Sequence, residues 1–373
     1  MRLLDRYLLR ELVVPFAYCL AGFFLFWNAF DLFGELDTFR ERGLSLVDIL
    51  EYYLLKTPEQ LTVVLPVALL LALLYALSNH ARYHELVAIR AAGVSISRLA
   101  APYLAVGIGL SFLLFAINEL WLPQSLEATE RVLNRRLAAA PDPGQGSLET
   151  VHFVNQRDDR AWLIQGYNQL TCQMMRPHVT WKFPDGSRRE FTADQAAWTA
   201  KGWVFTNAQE MVFSSQSEQI PIPQKSECRL MTELTETPQQ IRSQIKIARM
   251  DSDNLKSARK TQLSIREILD YFKWNEVGRR MKAVLKTKLH GRIASPWTCL
   301  VVVLIALPFG TVSGRRSVYV GVASSIFICF IYFVLVQLGL ALGGGGHLPP
   351  ALAAWTPNLL FAATGIYLTS RNR

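Results

Sequence analysis

The sequence predicts a membrane protein with six transmembrane α-helices, in a three-plus-three arrangement, and an inserted extracytoplasmic β-jellyroll domain. Three observations support this fold class. Only 18% of the 373 residues are charged, whereas soluble domains carry about 25%, and the mean hydropathy is positive at +0.18. The apolar residues are concentrated in six windows without charge. Between the third and fourth windows the pattern changes to short runs of alternating apolar and polar residues, which indicates β-strands.

Each of the six windows is bounded by charged residues or histidine. In chain order they are 12–30, 60–79, 99–118, 293–314, 317–346 and 348–370. A helix needs about 20 apolar residues to cross the hydrocarbon core, and the first window reaches this length with the apolar residues after Asp31. It is also too long for the apolar part of a signal peptide, which has about 7–15 residues. Because one central charge costs about 2.5–3.5 kcal/mol of insertion, the windows predict six membrane spans.

The distribution of arginine between the short loops predicts the orientation. One side of the membrane would carry Arg2, Arg6, Arg10, Arg82, Arg90, Arg98, Arg315, Arg316, Arg371 and Arg373. The loops on the other side carry Arg40, Arg42 and Lys56 among a larger number of acidic residues. Since cytoplasmic loops are enriched in Lys and Arg, we expect both termini to be cytoplasmic and the large segment between spans three and four to lie outside the cytoplasm.

The pattern divides the chain into four segments. They are 1–122 with spans one to three and a cytoplasmic loop at 80–98, the β domain at 123–262, a basic amphipathic helix at 263–292, and 293–373 with spans four to six. The predicted β domain contains four tryptophans, Trp162, Trp181, Trp198 and Trp203. We interpret them as core residues of the sheet rather than as a surface that stacks on a ligand.

The cysteine pattern excludes a zinc ribbon, because the five cysteines are scattered and show no CxxC spacing. Cys172 and Cys228 lie outside the predicted spans. In an oxidising compartment these two cysteines can form a disulfide if the fold brings them close enough together, which the sequence does not decide.

The positive charge is concentrated in one stretch of the chain. Residues 242–292 contain fourteen Lys or Arg and five Asp or Glu, which equals the net charge of +9 of the whole protein. The amphipathic helix predicted at 263–292 either lies in the membrane interface or packs on the β domain with a solvated charged face. At the outer face of a membrane the available anion is lipid phosphate, so nucleic acid is excluded as a partner. The candidate phosphate contacts in this helix are Arg279, Arg280, Lys282 and Lys286.

No motif for catalysis or for a bound cofactor is present. The chain lacks the GxxxxGK[ST] loop that binds nucleotide phosphates. His84 and Glu85 begin like a zinc-binding HExxH motif, but Ala88 stands where the second histidine is needed. The spans have ionisable residues only near their ends, at Asp31 and Glu119, which disfavours proton or sodium coupling. An intramembrane protease is disfavoured because neither a nucleophile with its base nor a metal pair is evident.

The loop at 80–98 is the segment with the clearest functional pattern. Residues 83–93 can form a short helix that ends at Gly93, since glycine is the usual residue after a helix C-terminus. Leu86, Ile89 and Arg90 would share a face with Tyr83. Such a helix is suited to dock into a groove of a cytoplasmic partner, and the alternative is a simple interfacial linker.

At this loop, and beyond it, the chain resembles the LptF/LptG family of lipopolysaccharide export permeases. The segments that carry the resemblance are LDRYLLRELVVPF at 4–16, LPVALLLALLYALSNHARYHELVAIRAAGVSISRLAAP at 65–102, KLHGRIASPW at 288–297 and HLPPALAAWTPNLLF at 347–361. They cover both membrane halves. The ending AAWTPNLLF looks more like LptG than like its paralogue.

The resemblance implies a multi-pass protein of the bacterial inner membrane with a periplasmic β-jellyroll. It further implies a non-catalytic permease subunit of an ATP-driven exporter, in which lipopolysaccharide enters through lateral gates at spans one and five. The expected partners are an LptF-like permease, an LptB-like ATPase dimer and a single-span LptC-like subunit. An alternative function is a membrane-anchored assembly factor that transports nothing and binds proteins through its β domain.

The resemblance also implies roles for individual residues. Glu85 matches the acidic residue that contacts the ATPase groove, and Arg90 and Gly93 belong to the same coupling motif. Arg40 and Arg42 are the basic residues nearest to the position outside the first span that contacts lipid A phosphates in the family.

Overall fold

The computed structural model describes residues 3–138, 149–155, 158–168, 171–199, 202–214, 223–251, 263–275, 277–310 and 318–371. The chain divides into two compact units, a helical unit of Met1–Leu133 with Arg279–Arg373 and a β unit of Asn134–Gly278. Of the arginines that predicted the orientation, Arg2, Arg315, Arg316 and Arg373 lie outside the described residues, as does the side chain of Arg371.

The described residues form eleven α-helices. They are α1 (Leu3–Glu41), α2 (Leu46–Arg82), α3 (Glu85–Ala91), α4 (Ile96–Ala116), α5 (Leu122–Ala138), α6 (Pro238–Asp251), α7 (Ile265–Trp274), α8 (Arg279–Ala294), α9 (Thr298–Gly310), α10 (Val318–Gly344) and α11 (Pro350–Arg371). A π-helical turn, Ile117–Trp121, joins α4 to α5, and a 3-10 turn, Ser295–Trp297, joins α8 to α9.

Six helical segments of the described chain are long and apolar enough to cross a membrane, which confirms the predicted number of spans. They are Leu3–Glu41, Leu46–Arg82, Ser97–Leu133, Arg279–Pro308, Ile326–Gly344 and Pro350–Ser370. The first two are longer than their uncharged windows, because polar turns at both ends continue the helix. At the start of α2, for example, Ser45 and Asp48 form a capping box that satisfies free backbone N–H groups.

The core of the helical unit is built around α2. Its residues Leu69, Leu73 and Leu77 are fully buried in one cluster with Leu8 of α1 and Val302 of α9. The span window of α2 is 61% buried, whereas that of α1 is only 6% buried. Span one is therefore the most exposed span of the unit, and most of its apolar surface is open to lipid or to another chain.

Spans four, five and six are joined by a buried chain of hydrogen bonds. The hydroxyl of Tyr332 in α10 donates to Asn358 Oδ1 of α11 at 2.6 Å and lies 2.9 Å from the Thr298 hydroxyl of α9. The Asn358 amide donates to the carbonyl of Ala294 at 2.8 Å. Because buried polar groups are costly unless paired, this network specifies how the three helices align.

The β unit contains one seven-stranded antiparallel sheet among the described residues. Its strands are β1 (Glu149–Asn155), β2 (Arg160–Asn168), β3 (Gln173–Lys182), β4 (Arg188–Thr192), β5 (Gln195–Thr199), β6 (Gly202–Phe213) and β7 (Gln224–Met231). Both β4 and β5 pair with β3 on one side and with β6 on the other, in a continuous register. They act as one interrupted strand, so the order is a simple meander. The inserted antiparallel β domain predicted from the sequence is confirmed.

One face of the sheet forms the core of the β unit and is covered by Ile241 and Ile245 of α6. Trp162 and Trp203 are fully buried there, as expected from the sequence. The core interpretation is wrong for Trp198, which is 36% exposed and meets Trp203 edge-on. Trp181 is half-buried because its ring lies 4.4 Å beneath the guanidinium of Arg160.

Two sequence-based expectations for the segment between spans three and four need correction. The expected single helix at 263–292 is two helices, α7 and α8, because the chain becomes extended at Asn275. The unit boundary at Gly278 separates them, so α7 packs against α6 while α8 packs against α10 and α11. The segment 123–262 begins within helix α5, and the first strand among the described residues begins at Glu149.

Cys172 and Cys228 are both free. Cys228 lies on β7, and Cys172 immediately precedes β3. The positions of β5 and β6 separate them, which amounts to roughly 14 Å at the usual strand spacing of about 4.8 Å. A disulfide requires Cα atoms about 4.4–6.8 Å apart, so this pairing does not form in the described fold.

Glu210 on β6 connects two arginines at the edge of the core. It is buried and accepts hydrogen bonds from Arg189 of β4 and Arg229 of β7. Burial alone would raise the pKa of Glu210, but the two guanidinium groups outweigh this effect and hold the pKa below its ordinary value. Its stabilising effect is therefore complete above the ordinary pKa of a glutamate and is lost as the pH falls through the lowered pKa.

We expect Glu210→Gln to destabilise the protein at pH 7 by about 2 kcal/mol, the usual range for hydrogen bonds to charged groups. Its stability should also fall less steeply than that of the wild type between pH 5 and pH 3. Glu190→Gln is the matched control, because Glu190 pairs with the more exposed Arg188 and such surface pairs contribute little. Thermal unfolding of the full chain in detergent measures both effects, and identical pH profiles for wild type and Glu210→Gln would contradict the assignment.

Close packing between α10 and α11 depends on glycine. A methyl group at Gly339 would overlap the carbonyl oxygen of Ala353, whereas one at Gly344 meets nothing within 4 Å. We expect Gly339→Ala to lower stability by about 1–3 kcal/mol because of overpacking, and Gly344→Ala to be neutral or slightly stabilising. Melting temperatures of both variants in the same detergent provide the test. A Gly339→Ala protein as stable as the control would show that these helices do not pack as described.

Candidate functional site

The short helix predicted in the loop between spans two and three is confirmed as α3. It begins after His84, whose φ of 59° is left-handed, and is followed by Gly93 with a φ of +85°. Glycine adopts this conformation without strain, which explains why the helix ends there. The loop therefore turns sharply at both ends of α3.

The faces of α3 are clearly divided. Leu86 is 2% exposed and belongs to the same core cluster as Leu8 of α1 and Leu99 of α4. Val87 and Arg90 point away from this core and are exposed. Tyr83, expected on the face of Leu86, is instead 63% exposed, because it ends α2 and is not part of α3. The exposed face is thus apolar and basic.

Glu85, in the first turn of α3, bonds to two other helices through one carboxylate oxygen. Its Oε2 accepts from the Tyr7 hydroxyl of α1 at 2.9 Å and lies 2.7 Å from His80 Nδ1 of α2. His80 is fully buried, whereas about a third of the Glu85 side chain is exposed. No described residue donates to Oε1. One oxygen of this carboxylate therefore bonds within the chain, and the other is available to a partner.

A second contact joins α1 to the far side of the same loop. Arg98, in the first turn of α4, donates through Nη2 to both carboxylate oxygens of Asp5, at 2.9 and 2.8 Å. The first turn of α4 is itself capped by Ser95, whose hydroxyl accepts from the Arg98 backbone N–H. The first turns of α1 therefore contact residues on both sides of α3.

Sequence reasoning missed Asp5, Tyr7 and His80 as part of this site. The partner of Tyr7 is 78 residues away and that of Asp5 is 93 residues away, and no local periodicity links positions so far apart. His80 is only five residues from Glu85, but their contact depends on the left-handed turn at His84. A signal was nevertheless present, because Asp5 and Tyr7 lie in the opening segment that resembles the family.

The other end of α1 carries the predicted phosphate contacts. Arg40 is exposed in the last turn of the helix, and Arg42 is half-buried in the turn toward α2. Nearer the middle of the span, Lys56 Nζ lies 2.7 Å from Asp31 Oδ2 and also donates a hydrogen bond to the Tyr52 hydroxyl at 3.1 Å. The charge of Lys56 is therefore neutralised by Asp31, while that of Arg40 faces outward.

The basic residues of α8 are the second candidate contact region. Arg279, Arg280, Lys282 and Lys286 are all exposed, whereas Leu285 and Thr287 are buried. Further along, Arg292 donates to the Asn118 carbonyl and lies 3.8 Å from Glu119 Oε2. The exposed cluster can bind phosphate groups by charge-assisted hydrogen bonds.

Comparison with known proteins agrees with this architecture. The model of the family described as "Lipopolysaccharide export system permease LptF/LptG" matches residues 6–371, which is nearly the whole chain. No curated protein matches the chain. The family model covers both paralogues, so the LptG-like assignment stays a prediction. The chain belongs to the LptF/LptG family of lipopolysaccharide export permeases.

Proposed function

We propose that this chain is the transmembrane permease subunit of an ATP-driven ABC exporter, which extracts lipopolysaccharide from the inner membrane and passes it to a periplasmic bridge. The observation that carries the proposal is the family match across both membrane halves and the β unit. Family membership supports an inner-membrane permease for lipopolysaccharide. The partners, the path of the lipid and the orientation are the further parts of this proposal.

ATP hydrolysis belongs to a separate subunit in this proposal, because the sequence contains no P-loop. The exposed face of α3, with Val87, Arg90 and the outer oxygen of Glu85, is the surface that we assign to an LptB-like ATPase dimer. Helix α3 is anchored in the core through Leu86. A push on its exposed face is thereby transmitted into the helical unit.

The surface of span one suits a large amphiphile or a second permease. Its exposed apolar side chains include Leu25, Phe26, Phe30 and Phe33. Together with an LptF-like permease, this face would enclose acyl chains, and an LptC-like subunit would complete the complex. The positive-inside rule supports cytoplasmic termini and a periplasmic β unit. The exposed basic residues of α8 and Arg40 then face the phosphates of lipid A.

The alternative function, a membrane-anchored assembly factor, predicts different results when the chain is removed. Depletion of an exporter subunit causes lipopolysaccharide to accumulate at the inner membrane. If the chain is instead an assembly factor that transports nothing, a purified complex without it releases lipid as well as one that contains it. Reconstitution in vesicles with the co-purified ATPase separates the two functions.

We expect Arg90→Glu to reduce association with the ATPase at least tenfold, because charge reversal places an unfavourable charge at the centre of the exposed face of α3. Arg266→Glu is the matched control, since Arg266 is also an exposed arginine but lies on α7 in the β unit. Co-purification of the ATPase with each tagged variant gives the measurement. Equal recovery with wild type and Arg90→Glu would contradict the role of α3.

Neutralisation of the α8 cluster should weaken lipopolysaccharide binding at least tenfold, because each Lys or Arg near an anionic lipid surface contributes about 1 kcal/mol. The variant replaces Arg279, Arg280, Lys282 and Lys286 by Gln. A control of equal charge change in the β unit replaces the exposed residues Arg176, Lys182, Lys225 and Arg266. Binding of labelled lipopolysaccharide to the complex at several salt concentrations is compared. An unchanged affinity and salt dependence would reduce the cluster to a solvated helix face.

A further inference from the structure

We propose that the first turns of α1 are the element through which the ATPase moves span one. Tyr7 and Asp5 act as positioning residues that fasten α1 to the two flanks of α3, so that span one follows α3 as the ATPase closes and opens. This inference rests on the proposed function. It adds a route, within this chain, from the ATPase contact to one particular span.

The first fastening point uses both oxygens of one carboxylate for different purposes. Glu85 Oε2 holds the Tyr7 hydroxyl at 2.9 Å and His80 Nδ1 at 2.7 Å. Oε1 is left for a cationic or N–H donor of the ATPase. A donor that binds Oε1 thus acts on a carboxylate that is already bonded to α1 and α2. Only the side chain of Glu85 then separates the ATPase from Tyr7 of span one.

The second fastening point prevents α3 from moving alone. Asp5 is held by Arg98 at 2.8 Å, on the chain segment that leaves α3, whereas Tyr7 is held by Glu85 in the first turn of α3. Between these points, Leu86 of α3 and Leu8 of α1 are buried in one core cluster. Contacts before, beneath and after α3 all lead to the same two turns of α1.

The packing of α1 explains why this end can move the whole span. Only 6% of its span window is buried within the chain, compared with 61% for α2. Helix α1 packs mainly on one neighbour, α2, and only weakly on α4, whereas α2 also contacts α3, α9 and α10. Fewer neighbouring helices therefore oppose a displacement of α1. A pull on the loop therefore displaces α1 more readily than α2.

The test uses the complete complex with its ATPase, reconstituted in vesicles containing lipopolysaccharide. The measured quantity is the number of lipid molecules released per ATP hydrolysed. Tyr7→Phe removes one hydroxyl and should lower this ratio at least threefold. Asp5→Arg should lower it at least fivefold, with ATPase binding and basal hydrolysis within twofold of wild type. Tyr18→Phe is the control, since Tyr18 is an exposed tyrosine of the same helix.

A charge swap distinguishes a specific contact from a general structural effect. The variant Asp5→Arg with Arg98→Asp re-forms the pair in reverse and should restore the ratio to within twofold of wild type. The nucleotide-dependent change in distance between spin labels at Phe30 of α1 and Leu338 of α10, both exposed, should be lost in Asp5→Arg and regained in the swap. If Asp5 only stabilised the fold, the ratio and the label movement would not be lost in Asp5→Arg and then recovered in the charge swap.

The outcomes separate this inference from the proposed function. If the wild-type complex binds no ATPase or releases no lipid, the proposed function fails. If it does both, and Tyr7→Phe and Asp5→Arg retain the wild-type ratio and label movement, only the inference is overturned. A swap variant that stays uncoupled also overturns it, because the loss would then not arise from the pair.

Discussion

The hydrocarbon core of a membrane offers no water to backbone or charged groups, and this constraint shapes the helical unit. Every backbone group in a span must be satisfied inside a helix, and a buried charge must find a partner of opposite sign. The acidic residues near the span ends follow this rule, because Asp31 pairs with Lys56 and Glu119 lies beside Arg292. In both cases the partner comes from a different helix, so the paired charges also align the spans.

The same principle connects the fold to its proposed activity. In the loop between spans two and three, the charged side chains of Glu85 and Arg98 bond to Tyr7 and Asp5 in the first turns of α1. The loop's apolar side chain Leu86 is buried with the spans. Helix α3 is short, is exposed on one face and is fixed to the spans on the other. A force on the exposed face therefore reaches the spans, because α3 cannot move independently of them. Buried packing beneath α3 and polar contacts beside it serve the same end.

Local pattern and tertiary contact contributed differently to what could be predicted. The six spans, the antiparallel strands and the short helix before Gly93 follow from properties of neighbouring residues, and all three were predicted. The division of 263–292 into α7 and α8 was missed, because basic and apolar residues alternate with helical spacing on both sides of Asn275. Which helix packs on which unit depends on surfaces far away in the chain. The exposure of Trp198 and the separation of Cys172 from Cys228 are of the same kind.

The sequence by itself determined the membrane character, the number of spans, the inserted β domain and the family, because uncharged windows and local motifs are properties of contiguous residues. Only the tertiary structure decided that Tyr7 and Asp5 meet Glu85 and Arg98, and that Lys56 is neutralised by Asp31. The physical reason is that a hydrogen bond or an ion pair depends on distances of about 3 Å. Packing of whole helices, and not spacing along the chain, brings groups separated by many residues so close.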